Sequence, residues 1–112
     1  MKFDITGRHI DVTPAIKAHV DSQLAKIDSL FDGKPANAHV IIEVERGRHN
    51  SEIVVNYRND TLTAATSDAD MYNSISMTVD KIEKQARKLK DKIVEKSRKA
   101  EKIGKVPTAD QN

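Results

Sequence analysis

The chain has 112 residues, 38% hydrophobic and 32% charged, which suits one polar but foldable domain and leaves no room for a second core. It has no Cys and no Trp, and aromatics are only 4%; disulfides, thiol nucleophiles and Cys-ligated zinc are excluded, and a surface that stacks many bases is disfavoured. The net charge of +2 hides an asymmetry, because residues 1–80 carry −4, residues 81–105 carry +7 and residues 106–112 carry −1.

Phe3 and Ile5 alternate with Lys2, Asp4 and Thr6, the pattern of a short half-buried strand that Gly7 ends or bulges. Thr13-Pro14 opens the first helix. The Thr hydroxyl can accept a free backbone N–H, and the missing N–H of proline costs nothing at the first helical position. Ile16, Val20, Leu24, Ile27 and Phe31 then make one apolar stripe at helical spacing, with Lys17 and Lys26 off it. Asp32-Gly33 and Pro35 stop this helix.

Three strands follow. Val40, Ile42 and Val44 alternate with His39, Ile41, Glu43 and Glu45; Ile53, Val55 and Tyr57 with Glu52, Val54 and Asn56; Leu62, Ala64 and Thr66 with Thr61, Thr63 and Ala65. Pairing Val44 with Ile53, Ile42 with Val55 and Val40 with Tyr57 leaves Gly47-Arg48-His49-Asn50 as a loop. Pairing Tyr57 with Leu62 and Val55 with Ala64 leaves Asn59-Asp60 as a turn. This one register puts the apolar members of all three strands on the same face. The last helix is expected to start near Ser67, where Ser67-Asp68-Ala69-Asp70 fits a capping box and puts two acids at the positive helix end. Ile75, Val79, Ile82, Ala86, Leu89 and Ile93 form its stripe. A run of about 25–30 residues is ~40 Å long, so its end beyond Ile93 should project past the sheet and fray.

The order β-α-β-β-β-α predicts an α/β two-layer sandwich, a four-stranded mixed sheet with two helices packed on one face. The first strand joins the second in parallel through a right-handed helical crossover, and the other strands form an antiparallel meander. Glu43, Glu45, Glu52 and Thr63 belong to the opposite, solvated face, with Ile41 and Val54 as its apolar exceptions.

No catalytic constellation emerges. His9, His19, His39 and His49 lack metal-ligand spacing, so no metal is expected, and there is neither a nucleophile elbow nor a Gly-rich phosphate loop. No enzyme activity and no cofactor are predicted. Tyr57, Tyr72, Met71 and Met77 read as core residues. The longest strictly apolar run is three residues, Val40 to Ile42, too short to span a membrane, and no apolar signal segment opens the chain. A cytoplasmic, monomeric protein is the expectation.

The basic segment carries more information. A block this dense meets a polyanion or is a solvated helix face, and charge alone does not choose. Lys81, Lys84, Lys88 and Lys92 recur mostly every four residues, a spacing at which like charges repel rather than support a helix. Arg87 and Lys90 broaden the band. With Lys17 and Lys26 on the first helix, two adjacent helices with basic outer edges would make a phosphate groove. Scarce aromatics favour structured RNA over single strands. Two other classes stay open: a generic structured-RNA-binding domain, and a protein-interaction module using Glu43 and Val54 on the polar sheet face.

Ile-Thr-Gly-Arg-His-Ile-Asp-Val-Thr-Pro-Ala-Ile (5–16), Leu-Ala-Lys-Ile (24–27), Ala-Ala-Thr-Ser-Asp-Ala-Asp-Met-Tyr (64–72) and Asp-Lys-Ile-Glu-Lys-Gln (80–85) resemble the bacterial ribosome hibernation factors over about residues 1–96. The resemblance implies the same β-α-β-β-β-α fold and a non-enzymatic role. It implies binding to the small (30S) subunit of the 70S ribosome, over the tRNA and mRNA path, through 16S rRNA contacts. The positions matching the family's basic residues are Lys26, Lys81, Lys84, Lys88 and Lys92, with Lys17 less close and Arg87 and Lys90 unassigned; Gln23 stands where some members carry Arg. Residues 1–96 would be the ribosome-binding domain and 97–112 a basic, frayed helix end and flexible tail. With neither a long acidic extension nor a second domain, the short hibernation promoting type, which favours 100S dimers, fits better than the translation-inhibitor paralogue, which holds 70S monomers inactive.

Overall fold

Thr13 caps the first helix as its hydroxyl allows: Thr13 Oγ1 accepts the Ile16 N–H at 3.1 Å, and Pro14 occupies the first turn. The computed structural model describes residues 1–31 and 36–101, with side chains as far as Asp91. The elements are β1 (Lys2–Arg8), α1 (Pro14–Ala25), a 3-10 turn (Asp28–Phe31), β2 (Ala36–Glu45), β3 (Arg48–Tyr57), β4 (Asp60–Asp68) and α2 (Met71–Glu101). The sheet order is β1-β2-β3-β4, with β1 parallel to β2 and the other pairs antiparallel. This is the expected two-layer sandwich. The boundary expected at residue 96 falls within α2. No helix among the described residues is long and apolar enough to cross a membrane.

The first stripe stays inward although its helix does not run as far as expected. After Ala25 the bonds shorten to three-residue spacing, Lys26 N–H to Gln23 O and Ile27 N–H to Leu24 O. The tightened end still delivers Ile27, and the 3-10 turn Phe31, to the core at 0% and 1% exposure. The expected stop at Asp32-Gly33 and Pro35 lies outside the described residues.

Both hairpin registers differ from expectation. Val40 faces Ile53, Ala38 faces Val55 and Ala36 faces Tyr57, four positions from the expected pairing, and the link is a two-residue turn, Arg46-Gly47. Their φ values of 52° and 78° match the positive φ that such hairpin turns need. This register pairs all ten residues of each strand, satisfying more backbone groups than a four-residue loop would. It also sets two alanines beside the Tyr57 ring, which packs edge-on against Phe31 at 4.8 Å. The next hairpin slips by two, pairing Tyr57 with Asp60 and Val55 with Leu62, so that Arg58 (φ 58°) and Asn59 form the turn. Both slips are even, so every apolar side chain keeps its face.

Three smaller expectations are corrected. Gly7 neither ends nor bulges β1; it pairs with Ile42 inside the strand, and a Cβ there would run into the Ile10 carbonyl oxygen. The last helix begins at Met71, not near Ser67. Ser67 is the last but one residue of β4, and its hydroxyl donates to Asn50 Oδ1 at 2.7 Å, so it cannot cap. Asp70 caps instead, accepting the Asn73 N–H at 3.0 Å, while Asp68 accepts the Asp70 N–H at 3.0 Å. Finally, Tyr57 and Met71 are buried as expected, but Tyr72 and Met77 are 39% and 37% exposed. Both fall outside the arc of α2 that faces the sheet.

Candidate nucleic-acid interface

The face that α2 buries decides which face it offers. Met71, Ile75, Val79, Ile82 and Ala86 point into the core, and among them lie two fully buried hydroxyl residues, Ser74 and Thr78. These meet Ser51 of β3 and Thr66 of β4. Ser51 Oγ lies 2.9 Å from Ser74 Oγ and 2.7 Å from Thr78 Oγ1, and Thr66 Oγ1 lies 2.8 Å from Thr78 Oγ1. Backbone carbonyls of Ser74 and Ser51 accept the remaining hydroxyl hydrogens. Every hydroxyl is satisfied, so the cluster fixes one sliding position of the helix on the sheet.

Further along, Gln85 fixes its rotation. Its Nε2 donates to the Thr63 carbonyl at 2.8 Å and its Oε1 accepts the Thr63 N–H at 3.3 Å, taking the place of a neighbouring strand on the exposed edge of β4. On the opposite flank, His19 of α1 reaches the Tyr72 carbonyl at 3.0 Å and Ser76 Oγ at 3.1 Å. Sequence reasoning placed Thr66 on the inward face, weighed His19 only for metal spacing and read Tyr72 as core, and it missed the roles of Ser51, Ser74, Ser76, Thr78 and Gln85. Polar residues at inward strand and helix positions (Ser51 in step with Ile53, Thr78 four after Ser74) were the available signal.

With both flanks identified, the basic residues can be placed at about 100° per residue. Lys81, Lys84 and Lys88 are exposed and share the sector between the outward direction and the Gln85 flank. None makes an ion pair or hydrogen bond with a described residue. Arg87 lies nearer the α1 flank, where its Nε and Nη2 both donate to Glu83 Oε2 at 3.1 and 2.9 Å. Lys90 is exposed. The side chain of Lys92 lies outside the described residues. On α1, Lys26 is the C-cap and approaches Gln23 Oε1 at 3.5 Å; seven residues past His19, it returns to the flank facing α2. Lys17 is turned about 200° from His19, away from α2. The structure therefore gathers Lys81, Lys84 and Lys88 into one row, puts Lys26 and Arg87 beside the interhelical cleft and leaves Lys17 apart.

The start of α2 has the opposite sign, but its acids are engaged. Hydrogen bonds from the Asn73 side chain and then the Asp70 backbone N–H hold the Asp68 carboxyl below its usual range, and the charge of nearby His49 adds to this. On the outer sheet face, a shallow hollow of about 420 Å3 is lined by Arg8, Glu43, Asn50, Glu52 and Ser67 among others; its mixed charges select no polyanion. Among the described residues no group of His, Asp and Glu could hold a metal ion.

Comparison with known proteins follows this geometry. A family model described as Sigma 54 modulation protein / S30EA ribosomal protein matches residues 3–94. The ribosome hibernation promotion factor of Lactococcus lactis subsp. cremoris is 37% identical over 108 residues, 95% of this chain but 58% of that protein. The ribosome hibernation promoting factor of Escherichia coli K12 is 30% identical over 93 residues, 83% of this chain and 97% of its own. Among solved structures, the N-terminal domain of Thermus thermophilus Protein Y matches with a TM-score of 0.75 and 27% identity, covering 80% of this chain and 99% of that one.

Proposed function

The chain belongs to the Sigma 54 modulation protein / S30EA ribosomal protein family, and from that premise we propose that it is a ribosome hibernation factor that binds the small ribosomal subunit and keeps translation switched off. The observation that carries this reading is the row of exposed Lys81, Lys84 and Lys88, which pair with no described residue, on a helix whose opposite face is locked onto the sheet. Such a row presents fixed positive charges to a phosphate backbone without first breaking an ion pair of its own.

The mechanism is steric. The folded domain occupies the tRNA and mRNA channel of the 30S subunit, and its lysines, with Lys92, Lys26, Lys17 and Arg87, contact phosphates of 16S rRNA. The protein acts in the cytoplasm, as a free monomer until it binds, with no cofactor. Bound 70S ribosomes then pair into 100S dimers. If ~5 phosphates are neutralised, log K against log salt falls with a slope on the order of −3.5 to −4.5.

Sucrose-gradient sedimentation of 70S ribosomes with the protein tests this. Wild-type protein should travel with the 30S, 70S or 100S fractions and enlarge the 100S peak. A Lys81→Glu, Lys84→Glu, Lys88→Glu variant should stay folded by circular dichroism and remain at the top. Association without a 100S peak would assign it to the translation-inhibitor type. A folded triple variant that still sediments with ribosomes would sink the lysine-row mechanism, and wild-type protein displaced by any duplex RNA would leave a generic RNA binder.

A further inference from the structure

The sheet ends at β4, and no described strand lies beyond it. Half of the β4 backbone groups therefore face outward, and the Gln85 clamp shows which half. Thr63 gives both its N–H and its C=O to Gln85, on the side away from its β3 partner Val54. Backbone groups alternate sides along an antiparallel strand, so those of Ala65 and Thr61 face the same open edge. Both residues are exposed, and among the described side chains only Gln85 bonds to this outward row. An open edge invites another strand, but the clamp already occupies the middle of this one. What is left on each side of Gln85 is one N–H beside one C=O.

The lysine row overhangs those two places. α2 runs back along β4, since Thr66 meets Thr78 and Thr63 meets Gln85. Lys81 lies about 6 Å before Gln85 along the helix and about 40° around it; Lys88 lies about 4.5 Å beyond and about 60° around, both toward solvent. Ala65 and Thr61 lie about 7 Å to either side of Thr63 along the strand. Lys81 thus stands beside Ala65 and Lys88 beside Thr61, while Lys84, about 100° from Gln85, points further out. Glu52, opposite Ala65 on β3, belongs to the outer face of the sheet, away from α2.

We propose that the β4 edge beneath the lysine row is a ribose-phosphate site that distinguishes RNA from DNA. The Ala65 N–H donates to a phosphate oxygen whose charge Lys81 offsets, and the Ala65 C=O accepts the neighbouring 2′-hydroxyl; Thr61 and Lys88 repeat the arrangement. RNA carries both of these groups and DNA only the phosphate. This rests on the RNA-binding reading above and adds to it a contact made by the backbone.

The test follows the amide signals of the isotope-labelled intact chain by NMR at low salt, with a short RNA duplex and with the DNA duplex of the same sequence. RNA should move the Ala65 and Thr61 amides and leave that of Thr63, which Gln85 holds, in place; DNA should bind more weakly. Ala65→Pro removes only the N–H, and an edge strand accepts proline where its N–H faces outward. That variant should stay folded by circular dichroism and bind purified 30S subunits on the order of 10-fold more weakly with an unchanged salt slope, whereas Lys81→Gln should make the slope shallower by about one. Ala65 and Thr61 amides that stay still in the bound state, or a folded Ala65→Pro within twofold of wild type, would overturn the edge site while leaving the lysine row standing. Equal affinity for the two duplexes would overturn the ribose contact. Wild-type protein that binds neither the RNA duplex nor the subunit would remove the RNA-binding premise itself.

Discussion

The two halves of the described face of α2, Met71 to Asp91, solve different problems. The first, Met71 to Asp80, is held from three sides: by the hydroxyl cluster beneath it, by His19 beside it and by the Asp70 cap at its start. Its next stretch, Lys81 to Asp91, touches the sheet through Ile82, Ala86 and the Gln85 clamp, and gives its outer surface to Lys81, Lys84 and Lys88. Like charges at four-residue spacing weaken a helix, so the charged stretch borrows its order from the anchored one and from the core. Stability and binding are thus placed on successive turns of a single helix.

That division can be broken from either half. Beyond the lysine reversals, the largest effect should come from the anchored half. Thr78→Val keeps the shape of a fully buried residue but removes the hydroxyl that joins Ser51 to Thr66. It should cost roughly 2 kcal/mol in urea unfolding and leave the affinity for the 30S subunit of the folded protein unchanged. A matching loss of affinity would show that the two halves are coupled. Gln85→Ala tests the boundary between them. Its two bonds are exposed, so the loss of stability should be about 1 kcal/mol or less, while the Thr63 amide should exchange with solvent much faster. A Thr63 amide as protected in the variant as in the wild type would show that the clamp is not closed in solution.

The smallest effect belongs to Asp68. Its folded pKa is depressed below 3.8, so its contribution to stability is present above the unfolded pKa and is lost as pH falls through the folded one. Asp68→Asn should therefore lower the urea midpoint slightly at about pH 6 and hardly at all once both forms are protonated, well below about pH 3. An equal decrease at both would mean that the side chain acts through packing and not through its charge.

The periodicities alone determined the element order and the inward apolar stripes. Ile16, Val20 and Leu24, or Ile53 and Val55, are buried in any arrangement in which a 3.6-residue stripe meets a two-residue alternation. The motifs at 5–16, 24–27, 64–72 and 80–85 were enough to place the chain among the hibernation factors, as the family match over residues 3–94 and the relatives named ribosome hibernation promotion or promoting factor bear out. Strand register was not legible, because slips of two and four residues keep every side chain on its face. The choice fell to long-range effects: space for Tyr57 beside Ala36, positive φ at Arg46 and Gly47, and the meeting of Ser51 and Thr66 with α2. Tyr72 lies beside the apolar stripe in sequence, yet it is exposed because α1 meets that flank of α2 through His19 and not through an apolar side chain. Which lysines stand together is likewise a matter of helix rotation, and Thr63 and Gln85, 22 residues apart in the chain, hold that rotation. Local spacing sets which side chains turn inward, but only packing between distant segments sets where along the sheet, and at what angle, each face comes to rest.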